Sequence, residues 1–385
     1  MKLFFPFIII TVFLSCKNEN SLFTSFKSTT KNPPRDTLIE KVDQYIQQRL
    51  DSCHCPGAAI TIITDTTTRL LKGYGKRSLL NGEKVDSFTV FRLASVSKNF
   101  GGLLMTLMMQ RGIIRADDPV QKYIPGFGVK QEEYSSQITI RHILSHSASL
   151  PYHSYTNLVE SGMPLDKIIP FFKDISLQSP PGTEYAYQNA SFSLLEKIVF
   201  KATGISFDTL LRQTFCNPLG MHELSCTYDS LILNADHASP HNYQQICSCY
   251  VADEITNKYY NVISAGGINA SISDMNKWLH LLMGNRPDIL PRAVLDTFFT
   301  PRILTSQDRR YYNYWPNVRE TYYAYGMRIL DCGDHSIYYH GGFANNYRSE
   351  IAVDTSHRIG IVALFNSTCC LADEIVPTVI EMMKN

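Results

Sequence analysis

The chain has 385 residues, of which 44% are hydrophobic and 18% are charged, and its formal net charge at pH 7 is +1. A chain of this length and apolar content buries one large core or two lobes, which excludes an intrinsically disordered protein. The near-neutral charge gives no electrostatic reason to expect nucleic acid as a partner. The sequence also lacks a Gly-rich phosphate loop, an HExxH motif and a G-x-S-x-G motif, the usual signatures of nucleotide-binding proteins, zincins and α/β-hydrolases.

The first residues of the chain have the pattern of a targeting segment. Lys2 precedes an apolar run over residues 3–14, which is shorter than the roughly 20 residues that a membrane-spanning helix needs. Ser15 and Cys16 follow, and this small residue before a cysteine resembles the end of a bacterial lipoprotein signal. The resemblance implies that residues 1–15 are a signal peptide and that Cys16 becomes the lipidated first residue. An ordinary secretory signal with an incidental cysteine is the alternative.

A flexible tether is predicted to follow the signal. Residues 16–36 are rich in Ser, Thr, Lys and Asn and end near the pair Pro33 and Pro34. About twenty such residues have a root-mean-square reach of roughly 25 Å, enough to hold a folded domain just off a membrane surface. We therefore expect a protein of the bacterial cell envelope that faces the periplasm or the cell surface. Its membrane partner is reached through the lipid anchor, and its folded domain covers residues 37–385.

The folded domain is predicted to begin with a helix and two strands. The helix, over residues 37–50, is amphipathic and leads through Pro56 into a strand over 58–63. A second strand over 69–74 follows after a short polar turn. These elements predict an N-terminal helix packed on a hairpin.

An extended apolar run then ends at Ser95, which opens a predicted helix over residues 95–112. Apolar residues recur at helical spacing in that helix: Phe100, Leu103, Leu104, Leu107 and Met108. A serine in the first turn lies near backbone N–H groups that can hold an oxyanion. Lys98 lies one turn further on the same face, where it can take or relay the serine proton. Ser95 and Lys98 are therefore candidates for a nucleophile and its base, and a helix cap with a solvated lysine is the alternative.

A second candidate segment runs from Tyr187 to Asn189. A turn at residues 180–182 precedes it, and a predicted helix over 190–202 follows it and stops at a glycine. A loop held between a rigid turn and a buried helix is well placed for chemistry.

Strand character returns near the end of the chain. Strands are predicted over residues 336–340, 348–353 and 359–365, followed by a helix over 373–384. Strands at both ends with helices between them predict an α+β fold in which the terminal strands meet in one antiparallel sheet flanked by helices. The central segment, about 106–282, is predicted to form a mainly helical lobe, with a cleft between the lobe and the sheet.

The third candidate segment comprises His340, Gly341 and Gly342, where the first of these C-terminal strands ends. Glycines at this position let a substrate backbone approach the strand edge closely. The segment is therefore a candidate for substrate binding.

In this order and at these separations, the three segments resemble the three motifs of the class C β-lactamase-related serine hydrolases. That family includes β-lactamases, DD-peptidases, D-aminopeptidases and esterases. Further matching stretches are Gly73-Tyr74-Gly75, Ala116-Asp117-Asp118-Pro119, His142-Ile143-Leu144-Ser145-His146, Asn217-Pro218-Leu219-Gly220-Met221 and Ala265-Gly266-Gly267. The resemblance covers nearly all of residues 40–385, and it implies the serine β-lactamase or penicillin-binding protein fold.

The resemblance also implies a role for each motif residue. Ser95 is expected to be the nucleophile that forms an acyl-enzyme, and Lys98 and Tyr187 to share general-base and proton-relay duty. The sequence does not decide which of the two takes the proton. Asn189 is expected to hydrogen-bond the substrate amide and to position Lys98. The backbone N–H groups of Ser95 and Phe343 are expected to form the oxyanion hole.

The third motif departs from the β-lactamase pattern. β-Lactamases of this family usually carry Lys-Thr-Gly there, whereas His340 begins the motif in this chain. An unperturbed histidine is mostly neutral at pH 7, so we expect it to lack the full charge that faces a penicillin carboxylate. Asn346 and Ser149 also stand where many members have glycine, and both affect loops near the cleft. Arg348 either binds a substrate carboxylate or forms a surface ion pair.

The cysteines and histidines do not predict a metal site. Of the ten cysteines, the nine after Cys16 lack the C-x₂-C spacing of structural zinc sites. Buried free thiols, or one or two disulfides in an oxidising compartment, are expected instead. His142 and His146 lie four residues apart on a predicted helix, but capping and core hydrogen bonds are favoured over metal ligation. No metal and no other cofactor is predicted.

In the resembled fold the first and last strands pair, which implies that the cysteines beside them are neighbours. A disulfide is therefore expected between Cys55 and Cys369, or between Cys53 and Cys370.

Together these expectations describe a lipid-anchored serine hydrolase that forms an acyl-enzyme on Ser95. Its substrate is a small molecule or peptide with an amide, lactam or ester bond: a β-lactam, a D-amino-acid peptide or an ester. The alternative is a catalytically silent protein of the same fold that binds a cell-wall peptide. The presence of Lys98, Tyr187 and Asn189 together with Ser95 argues against it, because a pure binder does not need all four.

Overall fold

The computed structural model describes residues 37–305, 312 and 314–384. The predicted signal peptide, the lipidation candidate Cys16 and the tether lie outside these residues. Within the described part of the chain, no helix is both long and apolar enough to cross a bilayer.

In the described chain the strands lie mainly towards the two ends, and short helices make up most of the centre. The α-helices are α1 (Thr37–Ser52), α2 (Ser97–Gln110), α3 (Val120–Tyr123), α4 (Glu132–Ser135), α5 (Ile140–Leu144), α6 (Thr156–Glu160), α7 (Leu165–Ile168), α8 (Leu194–Thr203), α9 (Phe207–Leu211), α10 (Asn217–Leu219), α11 (Tyr228–Ile232), α12 (Ile263–Gly266), α13 (Ile272–Leu282), α14 (Arg292–Phe298) and α15 (Cys370–Lys384). Two 3₁₀-helices, Ala94–Val96 and Ile169–Asp174, and a π-helical turn, Arg212–Cys216, adjoin them.

Eight of the strands form one antiparallel sheet in the order β2-β1-β12-β11-β10-β9-β8-β7. The strands are β1 (Gly57–Thr64), β2 (Thr67–Gly75), β3 (Val90–Arg92), β4 (His241–Gln244), β5 (Cys249–Ala252), β6 (Asn269–Ser271), β7 (Ile303–Leu304), β8 (Glu320–Tyr323), β9 (Arg328–Asp331), β10 (Ser336–Ala344), β11 (Tyr347–Asp354) and β12 (Ile359–Phe365). The N-terminal β1 lies directly beside the C-terminal β12, with Ile60 opposite Ala363. This pairing confirms the predicted α+β fold with terminal strands in one sheet.

Both faces of the central strands are buried, which explains their continuous apolar sequences. In β12, Ile361 and Phe365 face α1 and α15, whereas Val362 and Leu364 face the helices of the central segment. The side chains alternate between the two layers because successive residues of a strand point to opposite faces. The sheet therefore separates two hydrophobic cores, and the site lies on the side of the central helices.

Several elements differ from their predicted bounds. The strands β7, β8 and β9 were absent from the prediction because they are two to four residues long and show little alternation. The helix predicted from residue 190 begins at Leu194, since residues 190–193 form turns. β3 lies within the extended run predicted before Ser95, whereas the short strand β6 and its pairing with β3 were not predicted.

A disulfide joins the start and the end of the domain. Cys53 at the end of α1 is bonded to Cys370 at the start of α15, which is one of the two expected pairings. Cys55 and Cys369 are buried free thiols, so the other pairing is not formed. A second disulfide, between Cys247 and Cys249, closes the turn between β4 and β5. Only the first of these disulfides connects distant parts of the chain.

Candidate active site

Ser95 lies at a sharp change from strand to helix. The preceding residue, Ala94, has a positive φ of 46°, a conformation that costs a residue with a side chain about 1–3 kcal/mol and that clusters at functional sites. Ser95 falls in the 3₁₀-helix Ala94–Val96, which continues into α2, so the α-helix itself starts at Ser97, two residues after the predicted position. Within residues 91–100, Ser95 is the one residue that is not buried. The turn therefore presents this hydroxyl to the cleft.

Lys98 lies under the serine, fully buried in the first turn of α2. Its Nζ donates hydrogen bonds of 2.8 Å to Asn189 Oδ1 and of 2.8 Å to the carbonyl of Ala265. The ammonium position is also 4.6 Å from the centroid of the Tyr187 ring. Burial, and then the cation of Arg328, hold the pKa of Lys98 well below its ordinary value. The neutral amine, the form that can accept a proton, is thereby favoured, and the alternative of a solvated lysine is wrong.

The loop that carries Tyr187 and Asn189 is fixed by backbone contacts to a neighbouring segment. The amide N–H of Gln188 donates to Nδ1 of His146 at 3.2 Å, and its side-chain Nε2 donates to the carbonyl of Pro151 at 2.6 Å. The amide of His153 donates to the carbonyl of Tyr187 at 3.0 Å. These bonds hold the tyrosine ring and the asparagine amide in place around Lys98.

The third motif brings the edge of β10 against the nucleophile. A Cβ atom at Gly342 would lie 2.4 Å from the carbonyl oxygen of Leu93 and 3.0 Å from the backbone nitrogen of Ser95. Only a residue without a side chain fits at this close approach. Gly341, Gly342 and Phe343 line the cleft, and the Phe343 side chain is 56% exposed. The backbone of β10 thus runs beside the Ser95 N–H, as an oxyanion hole shared by two segments requires.

His340 does not face the cleft in the way the sequence suggested. Its imidazole is fully buried, with Nδ1 2.8 Å from the carbonyl of Gly341 and Nε2 3.0 Å from the hydroxyl of Tyr323. Since a carbonyl can only accept, Nδ1 carries the proton and Nε2 accepts from the tyrosine. Burial and the cations of Arg328 and Lys98 hold the pKa of His340 well below its usual range. The expected lack of a full charge agrees with this lowered pKa, whereas the expected substrate-binding position does not agree with the structure, because His340 is buried and is not among the residues that line the cleft.

Arg328 is a cation of the cleft that the sequence analysis missed. It is the first residue of β9, is 6% exposed and lines the cleft. Its guanidinium carbon is 5.4 Å from the centroid of the Tyr187 ring, and one Nη lies 3.3 Å from the hydroxyl of Tyr185. The available signal was an arginine inside the otherwise apolar stretch from Met327 to Leu330. The positive charge that a lysine supplies in the third motif of β-lactamases is thus supplied here by Arg328 of β9, the strand beside β10.

Arg348 also lines the cleft, but its charge is compensated. Its Nη2 lies 2.6 Å from a carboxylate oxygen of Glu350 and 3.0 Å from one of Asp373. Arg348 therefore forms an ion pair, which is one of the two roles expected from the sequence, the other being the binding of a substrate carboxylate.

The two positions where many relatives have glycine both adopt left-handed backbone. Ser149 has a φ of 58° and Asn346 a φ of 63°, the region in which glycine is least strained. The Ser149 hydroxyl donates to the carbonyl of Pro180 at 2.8 Å, and the Asn346 amide donates to Asp253 Oδ2 at 2.9 Å. Each loop therefore keeps the glycine conformation and adds a side-chain hydrogen bond.

His142 and His146 are structural residues, as favoured from the sequence. Nδ1 of His142 accepts from the amide of Thr139 at 3.2 Å and forms a capping box at the start of α5. His146 is buried 4.4 Å from the Tyr187 ring centroid. Burial, followed by the nearby cations of Lys98 and Arg328, holds the pKa of His146 well below its usual range.

The cleft has a volume of about 420 Å³, which suits a small molecule or the end of a peptide. Its wall also contains polar and aromatic side chains from α6 and from turns of the central segment. These are Tyr152, His153, Thr156, Glu160 and Tyr259.

Comparisons with known proteins agree on one family. A sequence model of the Beta-lactamase family matches residues 42–369. "Protein flp" of Staphylococcus aureus strain MRSA252 is 25% identical over 347 residues, which cover 90% of this chain. "Unguisins hydrolase ungD'" of Aspergillus campestris is 26% identical over 344 residues, or 86% of this chain. The matches span 65% and 62% of those two proteins, so the chain covers less than two thirds of the length of these relatives.

Solved structures show the same fold. The octameric penicillin-binding protein homologue of Pyrococcus abyssi superposes with a TM-score of 0.78 at 22% identity, over 90% of this chain and 78% of the other. A penicillin-binding protein of Bacillus halodurans superposes with a TM-score of 0.72 at 20% identity, over 88% of this chain and 99% of the other.

Proposed function

Because the chain belongs to the Beta-lactamase family, we propose that it is a serine hydrolase that forms an acyl-enzyme on Ser95. The observation that carries this proposal is the buried Lys98 amine, held at 2.8 Å by both Asn189 and the Ala265 carbonyl, with its pKa lowered. A structural lysine gains stability from a protonated, paired state, whereas a base must be neutral. The fungal relative is named a hydrolase of unguisins, which agrees with a hydrolytic reaction.

The reaction proceeds in two acyl transfers. The Ser95 hydroxyl attacks the substrate carbonyl and passes its proton to the neutral Lys98 amine, with Tyr187 as the relay toward the leaving group. The oxyanion that forms is held by the backbone N–H groups of Ser95 and Phe343, each worth roughly 3–4 kcal/mol in comparable enzymes. The leaving group departs with a proton, and water then attacks the acyl-enzyme by the reverse route.

Arg328 narrows the class of substrate. A buried guanidinium beside the cleft favours a substrate with a carboxylate near the bond that is cleaved, such as a β-lactam or a peptide with a free C-terminus. Arg348 serves this purpose poorly because Glu350 and Asp373 already neutralise it. Lactam, peptide and ester substrates share the same acyl-enzyme step.

Incubation with a fluorescent penicillin tests the proposal. We expect covalent labelling of the wild type, with a lifetime that separates a peptidase-like enzyme, which keeps the label, from a lactamase, which loses it. A protein that takes up neither the penicillin nor an activated ester such as p-nitrophenyl acetate is a silent binding protein, and the proposal fails.

We also propose that Cys16 carries lipid and anchors the protein in the cell envelope. This rests on the sequence pattern of Lys2, Ser15 and Cys16. Membrane fractionation in a Gram-negative host is the test. The wild type is expected in the membrane fraction and Cys16→Ala in the soluble fraction, and equal distribution of the two contradicts the anchor.

A further inference from the structure

Far from the cleft, two imidazoles and a carboxylate converge where the sheet's hairpins turn. The ligand atoms of His335, Asp354 and His357 all lie within 4.8 Å of one another. Asp354 Oδ2 is 2.8 Å from Nδ1 of His357 and 3.6 Å from Nε2 of His335. The Asp354 carboxylate is fully buried, whereas the side chain of His357 is 38% exposed. An ion from solvent can thus reach the buried Asp354 carboxylate by passing the exposed imidazole of His357.

The backbone of the sheet holds these side chains in place. Asp354 ends β11 and pairs with Ile337 of β10, so His335, two residues before that partner, is brought alongside. The amides of Ser356 and His357 donate to Asp354 Oδ1 at 3.1 and 3.0 Å. These bonds close the turn between β11 and β12 and leave Oδ2 directed at the two imidazoles.

A further carboxylate orients His335. Asp334 Oδ1 lies 2.6 Å from Nδ1 of His335, which fixes the proton on that nitrogen. Nε2 then accepts from the Lys384 ammonium at 3.3 Å, so its lone pair points into the cluster. An outer carboxylate on the far nitrogen is the usual second partner of a metal-binding histidine.

We propose that His335, Asp354 and His357 bind a divalent transition metal, with zinc as the ion of choice, at a site separate from the catalytic cleft. Two imidazole nitrogens and a carboxylate oxygen are ligands that zinc prefers, at about 2.0–2.2 Å each. Tetrahedral coordination at those lengths separates neighbouring ligands by about 3.4 Å. The distances from Asp354 Oδ2 to the two imidazole nitrogens, 2.8 and 3.6 Å, bracket that spacing, and the imidazole nitrogens lie within 4.8 Å of each other, so side-chain shifts bring the three ligands around one ion. The sequence did not predict it because the ligands are dispersed and form no recognised motif.

The Lys384 ammonium supplies positive charge beside the Asp354 carboxylate, which a bound metal ion would supply instead. Its Nζ lies 3.9 Å from Asp354 Oδ2 and 2.7 Å from Glu381 Oε1. A metal ion replaces the hydrogen between His357 and Asp354 and repels the ammonium, which Glu381 can retain. Because Lys384 lies at the end of α15, metal binding couples the last helix to the turns of the sheet.

The site is also separate from the proposed reaction. The motif glycine Gly342 lies six residue steps after Ser336 on β10, a distance of roughly 20 Å along an extended strand. A metal at this position therefore stabilises the fold and does not contact the substrate.

Zinc titration of chelator-treated protein by calorimetry tests the proposal. We expect a single equivalent to bind, and the affinity to fall about 10- to 100-fold in Asp334→Ala. The affinity is expected to fall at least as much in His357→Ala, a substitution of a side chain that is 38% exposed. Lys384→Gln is expected to bind zinc more tightly, because a competing cation is gone. His222→Ala, an exposed histidine elsewhere, is the matched control and keeps the wild-type affinity.

Thermal unfolding provides the second readout. A hundredfold excess of zinc over its Kd is expected to raise the Tm of the wild type by about 3–5 °C and to leave His357→Ala unchanged. Turnover of an uncharged ester is expected to be the same with and without zinc. Wild-type affinity in both His357→Ala and Lys384→Gln, or no binding by the wild type, overturns the proposal.

Discussion

Lys98 and Asn189 are joined by a hydrogen bond of 2.8 Å between Nζ and Oδ1, although 91 residues separate them in the chain. The bond connects the helix that follows the candidate nucleophile to the loop that carries Tyr187. It holds a buried amine with a lowered pKa against Asn189, which lines the cleft. The proton-transfer chemistry of the proposed hydrolase depends on this contact.

Arg328 is predicted to set the acid limb of the pH profile. Burial is the larger cause of the lowered pKa of Lys98 and the charge of Arg328 is the second, so Arg328→Gln raises that pKa and increases the protonated, inactive fraction at a given pH. The acid limb of kcat/KM for an uncharged ester is therefore expected to move to higher pH, with activity recovered as the pH rises. An acid limb at the same pH in the wild type and in Arg328→Gln contradicts the effect of the Arg328 charge on the pKa of Lys98.

The same variant separates charged from uncharged substrates. Arg328→Gln is expected to lower kcat/KM about 10- to 150-fold more for a carboxylate-bearing substrate than for the uncharged ester, the effect of losing one charged contact of about 1.5–3 kcal/mol. Arg348→Gln is the matched control, since its charge is already paired with Glu350. An equal loss in the two variants assigns the carboxylate contact elsewhere.

His340 is predicted to be structural rather than a titrating substrate ligand. His340→Lys places an ammonium in a buried site beside Lys98 and Arg328, so it is expected to destabilise the protein by about 3–5 kcal/mol. His340→Gln keeps a donor and an acceptor for Gly341 and Tyr323 and is expected to cost about 1 kcal/mol. Denaturant unfolding of both variants measures this difference. Faster turnover of a cephalosporin by His340→Lys at unchanged stability contradicts the assignment.

Glu196 is predicted to make stability depend on pH. The residue is partly exposed, but its carboxylate is enclosed. The carboxylate accepts hydrogen bonds of 2.9 Å from the amide and from the hydroxyl of Ser264. These bonds position the carbonyl of the next residue, Ala265, which binds Lys98. Burial raises the pKa of Glu196 to about 7. The folded state then binds the proton more tightly than the unfolded state, so this contribution is complete below the unfolded pKa and is lost as the pH rises through about 7.

Glu196→Gln removes that titration and keeps an acceptor for Ser264. The free energy of unfolding of the wild type is expected to fall more between about pH 5 and pH 8 than that of the variant. Denaturant titrations across this range compare the two slopes. Identical slopes mean that Glu196 titrates normally.

The disulfide between Cys53 and Cys370 is predicted to contribute far more to stability than the one between Cys247 and Cys249. The first closes a loop with a sequence separation of 317 and the second one of 2. A crosslink lowers the conformational entropy of the unfolded chain by an amount that grows with the logarithm of the loop length. Removing the first disulfide is therefore expected to lower the free energy of unfolding by about 2–5 kcal/mol, and removing the second by much less. Unfolding of the two double-serine variants gives the comparison, and equal losses contradict it.

The sequence was sufficient for the parts of the molecule that have long patterns. The continuous apolar run of β12 predicted a strand with the observed bounds. The structure explains the run, because Ile361 and Val362 face opposite cores. Short strands such as β9 were not predictable, since four residues carry too little periodicity. Arg328 was missed for the same reason, because its position in the cleft depends on the pairing of that strand.

Motif order identified the candidate site, but not the state of its groups. The pKa values of Lys98 and His340 are lowered first by burial and then by the charge of Arg328, which lies on another strand. The positive φ of Ala94 likewise falls where no local sequence pattern indicated it. Tertiary context therefore set the electrostatics that the sequence left open.

Acyl-enzyme trapping tests the central claim most directly. Wild-type protein is incubated with a penicillin or an activated ester, quenched in acid and mapped by peptide mass spectrometry. The acyl group is expected on the peptide that contains Ser95, to persist in Ser97→Ala, and to be absent from Ser95→Ala, whose turnover falls on the order of 10⁴- to 10⁶-fold. An acyl group on another residue, or about a tenth of wild-type turnover retained by Ser95→Ala, contradicts the account.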